Sequence, residues 1–184
     1  MAIEILEELN AKWQQRYPGL ARLQFSDWVL WRQRNTINNI NKVGVYILAK
    51  YEPNEVSHSV DPLDERVIYI GKTNIGRTTS LKKRLSYFDR EAFGNGASHS
   101  GASNYKELFE AVQDDLYVSV CPVCWADEKI NLLFNNKSHF DAWISGSSPQ
   151  ADPFIVFLLV NWLEVCLRGV YVYKWGRLPK CNKE

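Results

Sequence analysis

The sequence predicts an α+β fold: a small antiparallel three-stranded sheet flanked by helices, preceded by an N-terminal helical extension. Three observations carry that expectation. Short β-branched or aromatic runs stand at residues 43–48, 67–70 and 116–120. Segments of helical length and helical apolar spacing lie between and after them. Residues 1–41 read as helical, so the expected organisation is an extension over 1–41 and a main domain over 42–184.

Taken in order, residues 3–16 place Ile5, Leu6, Leu9 and Trp13 on one helical stripe, and Tyr17-Pro18-Gly19 breaks it. A second amphipathic helix is expected over about residues 26–33, capped by Ser26 and carrying Trp28, Val29, Leu30 and Trp31. Residues 35–41 are polar and turn-like. The first strand follows, then a polar loop over 52–65 with Pro53 and Pro62, then the second strand, ended by Gly71. Strands joined in this way pair antiparallel by default. A basic helix is expected from Thr79 to Phe88, with Leu81 and Leu85 on one face. Residues 93–103 are rich in Gly and Ser and read as a loop that holds His99. A helix over 104–113 and the third strand come next. Asp152-Pro153 is a cap followed by a first-turn proline, opening an apolar helix to about Arg168. The chain then closes through residues 171–174 and the turn Leu178-Pro179. Because the last helix is apolar nearly all round, it is expected to be buried.

The 184 residues are 46% hydrophobic, a globular composition and not a disordered one. Aromatics reach 13%, so much ring surface must be buried or stacked. A formal net charge of +1 gives no general grip on nucleic acid, although a local basic face can coexist with an acidic one. Four cysteines do not make a disulfide framework at this length. Cys121-Pro122-Val123-Cys124 has the inner spacing of half a zinc site. The remaining Cys166, Cys181, His58, His99 and His139 repeat no paired spacing, so a closed zinc site is not expected. The start carries an early acid, Glu4, and no basic stretch before an apolar one, which does not read as a secretory signal. The longest apolar run, residues 154–160, is too short to span a bilayer. A cytoplasmic, non-membrane protein is the expectation.

Polar groups interrupt the apolar helix at Asn161, Glu164 and Arg168. An ionised Glu among apolar groups is costly unless it is paired or binds a metal. Glu164 and Arg168, four apart, can form a helix ion pair at one wet edge. Tyr46 and Tyr69 can be ordinary strand aromatics. Lys72 directly follows the second strand, in a Gly71-Lys72-Thr73 run that lacks the glycine spacing of a phosphate loop.

In sequence, these pieces resemble the GIY-YIG nuclease family. Gly44-Val45-Tyr46 stands where the family has Gly-Ile-Tyr, and Tyr69-Ile70-Gly71 matches the second half unchanged. Lys72 follows it, and Leu81-Lys82-Lys83-Arg84-Leu85 resembles the helix that bears the family arginine. Glu164, in Trp162-Leu163-Glu164, resembles the metal-binding glutamate, and Leu178-Pro179-Lys180-Cys181-Asn182 resembles the closing Leu-Pro-x-x-Asn element. The likeness covers about residues 43–183, with the order kept throughout. Two departures stand out: the segment between the two tripeptides is longer than usual, and Phe88 lies four residues after Arg84, where many members carry His or Tyr. His99 offers an extra polar group from its loop, or is a surface loop histidine.

The resemblance implies an endonuclease, of restriction or phage type, that hydrolyses DNA phosphodiester bonds with one Mg²⁺ or Mn²⁺. In that reading Glu164 holds the ion, which stabilises the leaving oxygen. Arg84 clamps a phosphate oxygen. Lys72 acts as a point charge and lowers the pKa of a nearby tyrosine. Tyr46 is the base, Tyr69 positions the water, and Asn182 supports the site. A homodimer suits cutting of both strands, and a monomer suffices for nicking. The alternative is a non-catalytic DNA- or protein-binding module on the same fold.

Overall fold

The computed structural model describes residues 2–17, 19–52, 55–57, 59–74, 80–96, 99–124 and 153–183. Pro18, Pro53, His58, Thr79, His139 and Asp152, which enter the expectations above, lie outside the described residues. The described elements are helix α1 (Ala2–Arg16), strand β1 (Val29–Leu30), a 3-10 helix (Trp31–Thr36), β2 (Gly44–Lys50), β3 (Val67–Lys72), α2 (Leu81–Phe93), α3 (Ser100–Phe109), β4 (Leu116–Pro122) and α4 (Pro153–Trp175).

The fold is α+β, with one open antiparallel sheet. It has four strands, in the order β1-β4-β2-β3, where the sequence suggests three. The added strand comes from the segment expected to be helical. Val29 and Leu30 pair with Val118 and Tyr117. Ser26 is no helix cap: its N–H donates to the Val120 carbonyl at 2.8 Å, and its hydroxyl accepts from the Val120 N–H at 3.1 Å. The unpaired edge of β4 offers hydrogen bonds that override the helical spacing of Trp28 to Trp31. Only the 3-10 helix remains of the expected element.

The sheet separates two cores. On one face, α1, α4 and the chain around Leu20 to Trp28 cover Val45, Ile47, Ala49 and Ile70. On the other, α2, α3 and Trp31 cover Tyr46, Leu48, Tyr69, Val118 and Val120. Asn10, buried on α1, donates to the Leu23 carbonyl at 2.9 Å and accepts from the Leu23 N–H, which fastens the first helix to the chain running along β4. The first 41 residues thus supply a strand to the sheet and side chains to both cores.

The helices differ from expectation at their ends. Helix α2 starts after Ser80, whose side chain caps the Lys83 N–H. Its free Leu81 and Lys82 N–H groups donate to the carbonyls of Lys42 and Ile40, so the turn before β2 closes the helix start. Helix α3 begins at Ser100, inside the expected loop, because His99 caps it. Gly101, Ala102 and Tyr105 are buried there, and packing outweighs the poor helix propensity of Ser and Gly. Helix α4 continues past Arg168 to Trp175, through residues expected to close the chain. It is not enclosed all round. Its buried face carries Leu159, Val160, Leu163, Leu167 and Tyr171, while Leu158, Trp162, Val165, Val172 and Tyr173 are exposed.

Strand β3 is the outer strand on its side, and the C-terminal residues cover its edge. The Cys181 N–H donates to the Ile68 carbonyl at 2.8 Å. The Asn182 side chain bonds both backbone groups of Ile70, each at 2.9 Å. Among the described residues no helix is long and apolar enough to cross a membrane.

Candidate active site

The pairing of β2 with β3 explains why two glycines and two tyrosines sit as they do. Tyr46 lies directly opposite Gly71, and Tyr69 opposite Leu48. Side chains alternate faces along a strand, so Tyr46 and Tyr69 are diagonal neighbours on one face. Their ring centroids are 5.7 Å apart. Gly71 leaves the room for both. A Cβ there would stand 2.7 Å from Tyr46 Cζ and 2.8 Å from its hydroxyl, and would also strike the Tyr69 ring. Gly44 has a different reason: a Cβ would collide with the backbone of Cys121 and Pro122 on β4. We expect Gly71→Ala to destabilise the fold by about 1–3 kcal/mol, since both rings are walled in and the added methyl overpacks them. Urea melts check this; an unchanged midpoint would show that the rings can give way.

His99 belongs to this cluster. Its Nε2 lies 2.8 Å from the Tyr46 hydroxyl. The ring stands edge-on to Phe88 at 5.2 Å and to Tyr69 at 5.7 Å between centroids. Phe88 is fully buried against Trp31 and Tyr105 as well, so the position four residues after Arg84 is a packing position in this chain. The polar group arrives from the start of α3 instead. Gly101, two residues on, must be small because a Cβ would enter the Tyr69 ring. His99 Nδ1 accepts the Ala102 N–H at 3.3 Å, as the cap of α3. A neutral imidazole that accepts at Nδ1 carries its proton on Nε2. His99 therefore donates to the Tyr46 oxygen.

Burial, and then the Arg84 charge, push the His99 pKa down to about 3 from its ordinary 6.5. The folded chain keeps it neutral where the unfolded chain protonates it. Its contribution to stability is complete above about pH 6.5 and is lost as pH falls from there toward about 3. Urea melts from about pH 7.5 to about pH 4 should show a decline of up to roughly 1.4 kcal/mol per pH unit from this residue. His99→Asn keeps a capping side chain and should flatten that slope. An identical slope in the variant would assign the decline to other groups.

The second cluster lies at the edge of β3. Lys72 shares a face with Val45, opposite which it pairs, and so points to the side of α4. There Glu164 is 5% exposed and holds two cations. Its Oε2 takes the Lys72 ammonium, and its Oε1 takes Arg168 at 2.8 Å. Arg168 also donates to the Ile70 carbonyl at 3.0 Å, the atom that Asn182 holds. Both arrangements offered by the sequence meet here: Glu164 is buried, and it is paired along its own helix.

Tyr69 joins the clusters. Burial raises its pKa, the charges of Arg84 and Arg168 lower it, and Glu164 raises it. Tyr46 is pushed well up by burial, and Arg84 opposes that. Lys72 is paired with Glu164, and the arginines are the foremost cations that oppose burial at the two tyrosines. Two buried donors in the site have no acceptor among the described residues: Nε of Arg84 and Nε of Arg168. Buried unpaired N–H groups are rare and call for an explanation, such as an absent ligand.

Among the described residues no three His, Cys, Asp or Glu gather as a metal cage. The donor set fits a narrower role. One carboxylate can hold a Mg²⁺-type ion that takes its remaining ligands from water and a phosphate. Arg168 is the site residue that the sequence leaves least visible, since spacing alone offers it only as a helix partner for Glu164. Comparison with protein-family models, curated proteins and solved structures gave no match.

Proposed function

We propose that the chain is a GIY-YIG-type endonuclease that hydrolyses DNA phosphodiester bonds with one Mg²⁺ or Mn²⁺. The observation that carries this reading is the surround of Tyr69. The charges of Arg84 and Arg168, whose Nε–H groups lack acceptors among the described residues, act on a buried phenol, as does a buried carboxylate. Such a surround suits an anion with a reacting centre. The ordered motifs narrow the anion to a phosphodiester, and their likeness to a DNA-cutting family narrows the polymer to DNA.

In this reading the guanidinium groups of Arg84 and Arg168 take phosphate oxygens as negative charge builds. A metal ion at Glu164 would supply charge stabilisation for the leaving oxygen. Tyr69, on which both arginine charges act, contacts the attacking water and, in its ionised form, takes the water's proton. Tyr46 stands behind it, fixed by the His99 donor. This reverses the roles that the motif order alone suggests. Burial keeps both hydroxyls above their ordinary pKa; at Tyr69 the charges of Arg84 and Arg168 oppose it, and at Tyr46 that of Arg84 does. Asn182 and Arg168 hold the Ile70 backbone, and with it the Tyr69-Ile70-Gly71 run of β3.

A supercoiled plasmid incubated with the protein and Mg²⁺ or Mn²⁺, beside an EDTA control, tests the proposal. Metal-dependent nicked or linear product is expected. Intact plasmid across both ions and several DNAs, with DNA binding retained, would replace it with the non-catalytic module.

A further inference from the structure

Without metal or DNA, both oxygens of Glu164 are engaged. Lys72 takes Oε2 and Arg168 takes Oε1. The carboxylate is 7% exposed, and the Lys72 and Arg168 side chains are 25% and 30% exposed, so they form its wall toward water. Two cations against one anion leave a local formal charge of +1. A divalent cation approaching that group meets repulsion and finds no free carboxylate oxygen.

The two cations are not equivalent. Arg168 sits on the same helix as Glu164, one turn on, and is tied to the Ile70 carbonyl by a second hydrogen bond at 3.0 Å. Lys72 stands at the end of β3, and among the described residues its ammonium has no second hydrogen-bond or ion-pair partner. Its flexible stem can swing while Arg168 stays. A phosphodiester placed against the partly exposed Arg168 side chain brings negative charge to the spot and gives the ammonium another acceptor.

We infer that Lys72 is a placeholder for the metal. It occupies the Glu164 carboxylate in the resting chain and gives it up when a phosphodiester arrives, so that DNA and metal bind with positive coupling. This rests on the nuclease reading for the identity of the polyanion, but the placeholder itself does not. Coupling of this kind is reciprocal: metal must tighten DNA binding by the factor by which DNA tightens metal binding.

The test counts free Mn²⁺ by its electron paramagnetic resonance signal, with no turnover involved. Wild type, Lys72→Met and Lys72→Arg are titrated with Mn²⁺ alone, and then with a duplex carrying a non-hydrolysable backbone, against a duplex-only control. A thermal melt confirms that each variant is folded. Lys72→Met keeps the stem and removes the charge, and should bind Mn²⁺ roughly tenfold more tightly than wild type without DNA. Lys72→Arg keeps a cation on the carboxylate and should bind as weakly as wild type. Adding duplex should tighten Mn²⁺ binding to wild type by roughly tenfold and change Lys72→Met far less. Equal Mn²⁺ affinity of wild type and Lys72→Met without DNA overturns the inference. Tighter binding by Lys72→Met, with no DNA binding by any form, upholds the placeholder and sinks the nuclease reading instead.

Discussion

Glu164→Ala is expected to reduce metal-dependent DNA cleavage by about three orders of magnitude or more, because a metal-held transition state draws several kcal/mol from the ion. Glu164 is the one carboxylate that the described site offers to such an ion. The loss should not be a loss of folding. Removing one partner of a fully enclosed ion pair strands the other, at a large cost. Here the partners left behind are 25% and 30% exposed, so water can receive Lys72 and Arg168. Arg168 also keeps its bond to Ile70. Plasmid cleavage and a thermal melt, run on the same preparation, separate the two effects. Undiminished cutting by a folded Glu164→Ala protein would remove Glu164 from the chemistry.

The second large effect is expected at Tyr69. Tyr69→Phe deletes only the hydroxyl and should slow cleavage by about 10²–10⁴-fold at saturating DNA, the usual loss for an acid–base group. Binding of DNA should change little, since the arginines remain. Tyr46→Phe has a different signature. It leaves His99 Nε2–H, a buried donor, without its acceptor. That should cost about 1–3 kcal/mol of stability together with some activity. The contrast between a rate loss at constant stability and a loss of both distinguishes a water-facing tyrosine from one that supports it. If Tyr69→Phe cuts at the wild-type rate while Tyr46→Phe does not, the roles are those that the motif order suggests.

Strands β2, β3 and β4 were the most legible part of the sequence, because β-branched runs between breakers leave few alternatives. The pairing of Tyr46 with Gly71 then turns two remote tripeptides into one surface. Helix α4 was legible as a helix but not in its exposure, since apolar composition does not tell which side meets a partner. Trp28-Val29-Leu30-Trp31 misleads for another reason. Its spacing suits a helix, but the free edge of β4 is a tertiary fact that no local window contains. The site divides in the same way. Tyr46, Tyr69, Lys72, Arg84, Glu164 and Asn182 stand out by motif. The seat of His99 does not, because it depends on α3 beginning in a stretch of Ser and Gly. Phe88 marks the gap that His99 fills, but only the folded chain places one against the other. The engagement of both Glu164 oxygens is likewise a matter of placement.

Strand β1 is two residues long and carries no group of the site, yet it closes an exposed row of backbone donors and acceptors on β4. A chain shortened to begin near Val43 would retain every motif and lose this cover. It would also bare Val45, Ile47 and the other apolar groups beneath α1 and the chain that follows it. Open strand edges recruit other strand edges. The shortened protein should therefore fail by aggregation during expression before its chemistry could be assayed. On that expectation the first 41 residues would serve as a guard against aggregation, through where they lie and not through anything they would contact in a substrate.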